Sequence, residues 1–315
     1  MPDQSTSTAH GVTSFGFSDV RDYIEKITNA IWNGPDRDPE LVRRYYGPAT
    51  PIQTDNGDVI GAEQVTANTH ARLRAFPDFH GIIEDTIWTG DESVGYRTSM
   101  RWTWTGTDRG GTIFGGPTGR PVRSSAIANC VVRGDQIVDE WLGMNPLALA
   151  RQLGRSDSEA VAAWEASDPA PVSGRRPGLD VEPDGPGLLV AELLDGAFNG
   201  RDLSVVDRLY TETATQRRGA DRSSPSRAAI RDWYAGWLEL CPALTWSLDD
   251  SYWLPAEVGG GPARVATQWT LRGETATGPF RAAAISHHHV DAGRVVAEWT
   301  EYDQLALLRQ CRRTI

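Results

Sequence analysis

Apolar positions change their spacing within the first half of the chain, from the period of a helix to that of a strand. The first predicted helix has an apolar residue every three or four positions: Val20, Tyr23, Ile24, Ile27 and Ile31. Further helices are predicted from Asp38 and over residues 61–76. Four segments then alternate with a period of two and predict strands: residues 82–88, 94–105, 122–132 and 137–142. Helices followed by a meander of strands predict an α+β domain with an antiparallel sheet.

The second half of the chain repeats this order. The turn, apolar strand and acid that end at Trp141 recur before Trp299, and each copy is followed by a short Leu-rich helical segment. A repeat of this length indicates a duplicated domain rather than a solenoid. We therefore predict domains at 18–153 and 186–315, a disordered N-terminus over 1–17 and a linker over 154–185, in which residues 159–165 are expected to form a helical turn or two.

Composition narrows the classes of function. The 315 residues carry a net charge of −11, which argues against nucleic acid and anionic membrane surfaces as partners. No apolar run is long enough for a membrane span, and the polar N-terminus lacks a signal core, so the expected location is the cytoplasm. The three Cys residues have neither zinc nor disulfide spacing. Twelve Trp residues favour aromatic-lined cavities or interfaces.

The last hairpin of the first half carries candidate chemistry. With its turn at Gly134, strict alternation puts Cys130 opposite Asp139, and puts Asp139 on one face with Trp141. A register shift of one residue would bring Glu140 to that face instead.

The corresponding hairpin of the second half differs in its polar residues. The same counting puts His288 opposite Ala297 and on one side with Trp299, Glu301 and Asp303. His288 has a His neighbour on each side, but adjacent strand residues point to opposite faces, so the three imidazoles are not expected to share a metal ion.

Several short motifs together resemble the SnoaL-like polyketide cyclase family of the nuclear transport factor 2 superfamily, once in each half. They are the helix end Trp32-Asn33-Gly34, the step Phe76-Pro77-Asp78, the strand motifs Arg101-Trp102-Thr103 and Thr105-Gly106-Thr107, and the Glu-Trp strand that leads into Leu-x-x-x-Arg-Gln. The resemblance implies two tandem cone-shaped α+β barrels of the cystatin-like, nuclear transport factor 2-like type. In each, a curved antiparallel sheet over three helices would enclose a deep apolar pocket.

The resemblance also implies a chemistry. In the cyclases an acid on the last strands and a nearby His transfer protons, without metal or organic cofactor, during an aldol closure through an enol. The first half keeps the strand acid, Asp139, but has Cys130 where many members carry His. The second half keeps His288 and Asp303. We therefore expect Asp139 to be a catalytic base in the first cone, and His288 with Asp303 to be an acid/base pair in the second.

The expected ligand is a hydrophobic carbonyl compound, aromatic or polycyclic, converted by a cyclase, isomerase or lyase. Residues expected to bind it are Gln53, Trp102, Trp104, Trp141, Gln216, Trp269, Trp299 and Glu301. A non-catalytic binding or scaffold protein is an alternative. So is an epoxide-opening hydrolase, for which Arg97 or Arg101 would have to join Asp139. The two cones are expected to pack sheet to sheet as an intramolecular pseudo-dimer, which predicts a monomer in solution.

Overall fold

Each half of the chain forms a six-stranded sheet covered by helices. The computed structural model describes residues 11–174, 177, 182–219, 222–257 and 260–312. The helices of the first half are α1 (Val20–Trp32), α2 (Val42–Tyr45), α3 (Gly61–Ala75), α4 (Pro146–Gln152) and α5 (Asp157–Ala166), with 3-10 turns at Val12–Phe15 and Pro39–Leu41. Its strands are β1 (Pro51–Gln53), β2 (Val59–Ile60), β3 (His80–Asp91), β4 (Gly95–Thr107), β5 (Pro121–Arg133) and β6 (Gln136–Met144).

The second half repeats this layout. Its helices are α6 (Gly185–Phe198), α7 (Ser204–Leu209), α8 (Arg227–Leu240) and α9 (Gln304–Cys311). Its strands are β7 (Tyr210–Arg218), β8 (Arg222–Ser224), β9 (Thr245–Leu254), β10 (Ala263–Thr275), β11 (Gly278–Asp291) and β12 (Arg294–Tyr302). The strand orders are equivalent, β2-β1-β6-β5-β4-β3 and β8-β7-β12-β11-β10-β9. The predicted α+β class and tandem organisation are confirmed.

Two details of the sequence-based prediction are wrong. The sheets are mixed rather than antiparallel, because β1 runs parallel to β6 and β7 runs parallel to β12. The N-terminal segment predicted to be disordered is also partly ordered. Val12 begins a 3-10 turn and is fully buried, whereas residues 1–10 lie outside the described part of the chain. In the linker, the helical turns expected over residues 159–165 are present as α5: Ser156 and Glu159 form a capping box at its start, and Ala160 packs into the core of the first domain.

A β-bulge in each last hairpin sets which side chains face the helices. In the first half Val131 pairs with Asp139 but Val132 pairs with Ile137, so Val138 is an extra residue on β6. The second half has the same irregularity, with Val296 as its extra residue between pairs His289–Ala297 and Val290–Val295. Each bulge interrupts the alternation of side chains, so the residues after it lie on the opposite face from that expected by simple counting.

The outer faces of the two sheets contact each other. An apolar cluster of Ile127, Trp141 and Ile285 spans the contact. Polar bonds also cross it, including Asn129 Nδ2 to Gln268 Oε1 at 3.0 Å. Because these faces are occupied by the neighbouring domain, only the helix-covered side of each sheet is left to form a cone.

Candidate active site

The cone of the first domain contains a cavity of about 210 Å³ between α1, α3 and the concave face of the sheet. Most of its wall is apolar: Ile24, Ile27, Ile31, Trp32, Val65, Met100, Trp102, Ile137 and Leu142 are among the lining residues. Its polar lining includes Thr28, Tyr46, Asn68, Thr69, Arg72, Cys130 and Glu140. An apolar cavity with a few converging polar groups is the usual form of a small-molecule site.

Glu140 is the carboxylic acid of this cavity. Its side chain leaves the concave face of β6 just after the bulge, and the residue is 5% exposed. The Tyr46 hydroxyl donates a hydrogen bond to Glu140 Oε2 at 2.8 Å. Burial raises the pKa of Glu140 to about 7, outweighing the lowering by the Tyr46 hydrogen bond, and the nearby Asp139 charge raises it further. The carboxyl group therefore changes its protonation state near neutral pH, which suits a general acid or base.

Cys130 on β5 is the cross-strand neighbour of Glu140 on β6. Burial raises the pKa of its thiol well above the ordinary value, and the charge of Glu140 adds to the effect. The thiol is therefore protonated at neutral pH and has little nucleophilic character. It contributes a small, weakly polar surface beside the carboxyl group.

The second domain has an equivalent pair of residues but a different interior. The Tyr210 hydroxyl donates to Glu298, as Tyr46 does to Glu140, and it also lies 3.3 Å from the Tyr234 hydroxyl. Thr300 bonds to Glu298 as well.

Helix α8 fills the second cone with aromatic side chains. The two helices can be aligned on the residues that follow them, Phe76-Pro77 after α3 and Cys241-Pro242 after α8. In this alignment Trp233 corresponds to Asn68, Tyr234 to Thr69 and Trp237 to Arg72. Trp237 and Tyr234 are fully buried in the second core, and the Trp237 ring packs against Tyr302 at 5.5 Å between ring centres. Where α3 presents short or charged side chains to a cavity, α8 presents indole and phenol rings to a packed core.

The prediction that Asp139 faces the first cone is wrong. The bulge at Val138 turns Asp139 to the outer face of the sheet, where Gln53 Nε2 donates to Asp139 Oδ1 at 3.0 Å. Gln53 and Trp141, both expected to contact substrate, lie on this same outer face and line a small cleft between the domains. Of the Trp residues predicted in the first cone, Trp102 lines the cavity. Trp104 lines a neighbouring, outer cavity.

The predicted residues of the second half are divided between two sites. His288, Gln216 and Trp269 are buried inside the second domain, where His288 Nε2 lies 3.9 Å from Glu298 Oε1. Burial lowers the pKa of His288, so its imidazole is neutral. Gln216 on β7 is the cross-strand neighbour of Glu298 on β12. It is therefore not the counterpart of Gln53, which pairs with Trp141.

Asp303, Trp299 and Glu301 lie at the contact between the domains instead. Asp303 caps α9 through the Ala306 amide and bonds to Asn56 of the first domain. Burial raises its pKa to about 8. Arg101 lies 4.0 Å above the Trp299 ring, and Ser125 donates to Glu301 at 2.5 Å. The expected pairing of His288 with Asp303 is wrong. His288 lies on the inner side of the second sheet, beside Glu298, whereas Asp303 lies at the contact with the first domain.

Three residues of the site were not selected from the sequence: Tyr46, Arg72 and Glu140, the last kept only as an alternative to Asp139. The signal for Tyr46 and Glu140 was present in the duplication, because both recur as Tyr210 and Glu298. Arg72 gave no such signal, since its counterpart is Trp237.

The three consecutive His residues alternate between faces. His287 Nδ1 and His289 Nε2 lie 3.5 and 3.4 Å from Asp85 Oδ2 at the domain contact, whereas His288 points inward. Across the described ranges, no three His, Cys, Asp or Glu side chains are grouped so that they could hold a metal ion. None of the helices in the described part of the chain is long and apolar enough to cross a membrane.

Comparison with known proteins identifies the family. A model described as SnoaL-like polyketide cyclase matches residues 23–153, and a model described as SnoaL-like domain matches residues 190–298. No curated protein matches the chain.

Similar solved structures correspond to about two-fifths of the chain. Wild-type IdmH from Streptomyces antibioticus, a candidate polyketide cyclase, is 22% identical and covers 41% of this chain and 100% of its own, with a TM-score of 0.34. A candidate SnoaL-like polyketide cyclase from Jannaschia sp. CCS1 is 16% identical and covers 42% and 92%, with a TM-score of 0.36. AclR from Streptomyces galilaeus, a candidate hydroxylase, is 20% identical and covers 42% and 94%, with a TM-score of 0.36. From the two family matches, the chain is a tandem pair of SnoaL-like domains.

Proposed function

We propose that the chain is a cofactor-independent acid/base enzyme of the cyclase or isomerase type, and that Glu140 in the first cone is its proton-transferring residue. The observation that carries the proposal is the buried carboxyl group of Glu140, with a pKa of about 7, in the wall of a mostly apolar cavity. A base of this pKa is half ionised at neutral pH, which favours both proton removal and proton return. The substrate class is a hydrophobic carbonyl compound.

The proposed reaction begins with ionised Glu140. Its carboxylate takes a proton from the carbon next to the substrate carbonyl, and the C–H electron pair becomes the enolate. In an isomerisation, Glu140 returns the proton to a different carbon. In an aldol closure, the enolate carbon attacks a second carbonyl of the same substrate, and the proton passes from Glu140 to the new alkoxide. The Tyr46 hydroxyl holds Glu140 in place and moderates its pKa throughout.

We propose a structural role for the second domain. Trp233, Tyr234 and Trp237 occupy its cone, so a ligand there would have to displace a packed aromatic core. Its outer sheet face covers that of the first domain, as a second subunit would in a homodimer.

Hydrogen exchange on a simple ketone tests the proposal without knowledge of the natural substrate. The bicyclic ketone 2-tetralone has acidic hydrogens next to its carbonyl, and their replacement by deuterium in D₂O can be followed by proton NMR. We expect the wild-type chain to accelerate this exchange above the buffer rate, and Glu140→Gln to lower the acceleration by about 100-fold or more.

Asp139→Asn is the matched control, because it removes the neighbouring carboxylate from the opposite face of the same strand. We expect it to keep the acceleration within a few-fold. Equal exchange in wild type and Glu140→Gln would refute the role of Glu140. Binding of 2-tetralone without exchange above the buffer rate would favour a non-catalytic binding protein.

A further inference from the structure

Arg72 lies where two cavities of the first domain meet. It lines both the inner cavity with Glu140 and an outer cavity of about 440 Å³ under the loop between β4 and β5. Asn68 and Met144 are the other residues that line both. A ligand that reaches Glu140 through the outer cavity would therefore pass Arg72.

The Arg72 guanidinium is held by rings rather than by a carboxylate. Its central carbon lies 5.6 Å from the centre of the Trp32 ring and 6.0 Å from that of Trp104. Burial lowers the pKa of Arg72, and within the described part of the chain no acidic side chain forms an ion pair with it. A partly buried cation without an acidic partner is unusual, because such charges are normally paired.

The outer cavity is positively charged although the chain is acidic. Arg72 and Arg74 are among its lining residues, and the described residues that line it include no Asp or Glu. In a chain with 42 acidic and 31 basic side chains, a cavity whose described lining residues include two Arg and no acid favours an anionic ligand. The planar guanidinium group of Arg72 also has paired N–H donors that match the two oxygens of a carboxylate.

We propose that the substrate of the first cone carries a carboxylate, and that Arg72 binds it at the junction of the two cavities while the hydrophobic part of the substrate lies against Glu140. This inference rests on the proposed function for the identity of the site, but binding alone can test it. It narrows the substrate class from a hydrophobic carbonyl compound to a hydrophobic keto acid or a related carboxylated carbonyl compound.

Calorimetric titration with two nearly isosteric probes tests the proposal. The probes are 2-naphthoate, which is anionic at pH 7.5, and 2-naphthamide, which is neutral. We expect the wild-type chain to bind 2-naphthoate about tenfold or more tightly than 2-naphthamide, and Arg72→Met to remove that preference. Arg72→Lys should keep only part of it, because an ammonium lacks the planar fork.

Arg74→Met is the matched control. It removes a cation that lines only the outer cavity, so the preference should change by less than about threefold. Circular dichroism and thermal melts of each variant would separate loss of recognition from loss of folding.

The outcomes of this titration are independent of catalysis. Equal affinity of the wild-type chain for the two probes, or an unchanged preference in a folded Arg72→Met variant, would overturn the proposal. Glu140→Gln should keep or strengthen the preference for 2-naphthoate, because it removes a negative charge from the inner cavity. If the wild-type chain shows no preference for 2-naphthoate but still accelerates 2-tetralone exchange in a Glu140-dependent way, carboxylate recognition alone is refuted. If the preference is present and depends on Arg72 but exchange does not depend on Glu140, the role of Glu140 alone is refuted.

Discussion

At the scale of single residues, the proposed proton transfer depends on a carboxyl group that is shielded from water. Glu140 has one described hydrogen-bond donor, the Tyr46 hydroxyl, and the cavity wall around it is mostly apolar. Such surroundings disfavour the charged form and move the pKa of the acid toward neutrality. A residue of this kind costs stability and is retained where its chemistry is needed.

The pH dependence of activity follows from the pKa of Glu140. A base must be deprotonated, so kcat/KM for 2-tetralone exchange should rise as pH increases and level off above a midpoint of about 7. Tyr46→Phe removes a hydrogen bond that lowers this pKa, so the midpoint should move to higher pH. A rate that is constant or falls between pH 6 and 8 would contradict the assignment.

Stability should show the opposite dependence. The pKa of Glu140 is about 7 in the folded chain against an ordinary 4.5, so the unfolded chain ionises first as pH rises. Folding is therefore penalised progressively between pH 4.5 and 7, by up to about 3 kcal/mol. The Glu140→Gln variant does not lose stability in this way, because its amide does not ionise. In urea unfolding, its stability relative to wild type should increase by about this amount from pH 4.5 to pH 8. A pH-independent difference would show that the carboxyl group is not buried in the way described.

At the scale of elements, two features position the site: the bulge on β6 and the inner face of α3. The order of helices and strands follows from apolar periodicity, and so does the duplication. The orientation of Asp139 does not, because one extra residue at Val138 reverses every later side chain on the strand. Both copies contain the bulge. A comparison of the two copies therefore shows that His288 and Cys130 are equivalent positions, but it does not reveal the change of register, because that change is the same in both hairpins.

The difference between the two cones could have been inferred from the sequence only by aligning α3 with α8. The presence of Trp233 and Trp237 is visible, but their role as core residues depends on the neighbouring strands. Aromatic side chains line a cavity or fill a core according to the volume left by facing residues, and a single sequence does not give that volume. The same limitation applied to Trp102, which lines the cavity, and to Trp269, which is fully buried.

Truncation of equivalent residues on α3 and α8 should have different consequences. Trp237→Ala leaves a cavity in the packed second core and should lower the free energy of unfolding by about 3–5 kcal/mol. Arg72→Ala, at the same position of α3, borders a cavity that already exists and should cost no more than about 1.5 kcal/mol. Urea unfolding at one pH measures both. Equal costs would mean that the two cones are packed alike.

At the scale of the whole molecule, the two domains cover each other's outer sheet faces. Ser99 and His287 bond across the contact at 2.8 Å, and Arg264 donates to Asp85 at 2.8 Å. The Asp85 carboxyl is buried, and the neighbouring imidazoles of His287 and His289 hold its pKa well below the ordinary range against the effect of burial. Each domain supplies hydrogen-bond partners for buried polar groups of the other, so the contact resembles a subunit interface within one chain.

This arrangement predicts a monomer of 34.5 kDa, because the surface that a single SnoaL-like domain would use for such a contact is already occupied. Sedimentation equilibrium over a range of concentrations measures the mass. Asp85→Ala leaves Arg264 without its buried partner and should destabilise the chain by about 3–5 kcal/mol. A concentration-dependent dimer, or an Asp85→Ala variant as stable as wild type, would contradict this description.

We propose that chemistry takes place in the first cone and that the second cone is a packed relative of it. Glu140 and Glu298 are structurally equivalent, and each bonds to an equivalent tyrosine. The most direct test is therefore to compare 2-tetralone exchange by Glu140→Gln and Glu298→Gln, measured per folded molecule. We expect a loss of about 100-fold or more for Glu140→Gln and a change of less than about twofold for Glu298→Gln. Equal losses, or a loss confined to Glu298→Gln, would contradict it.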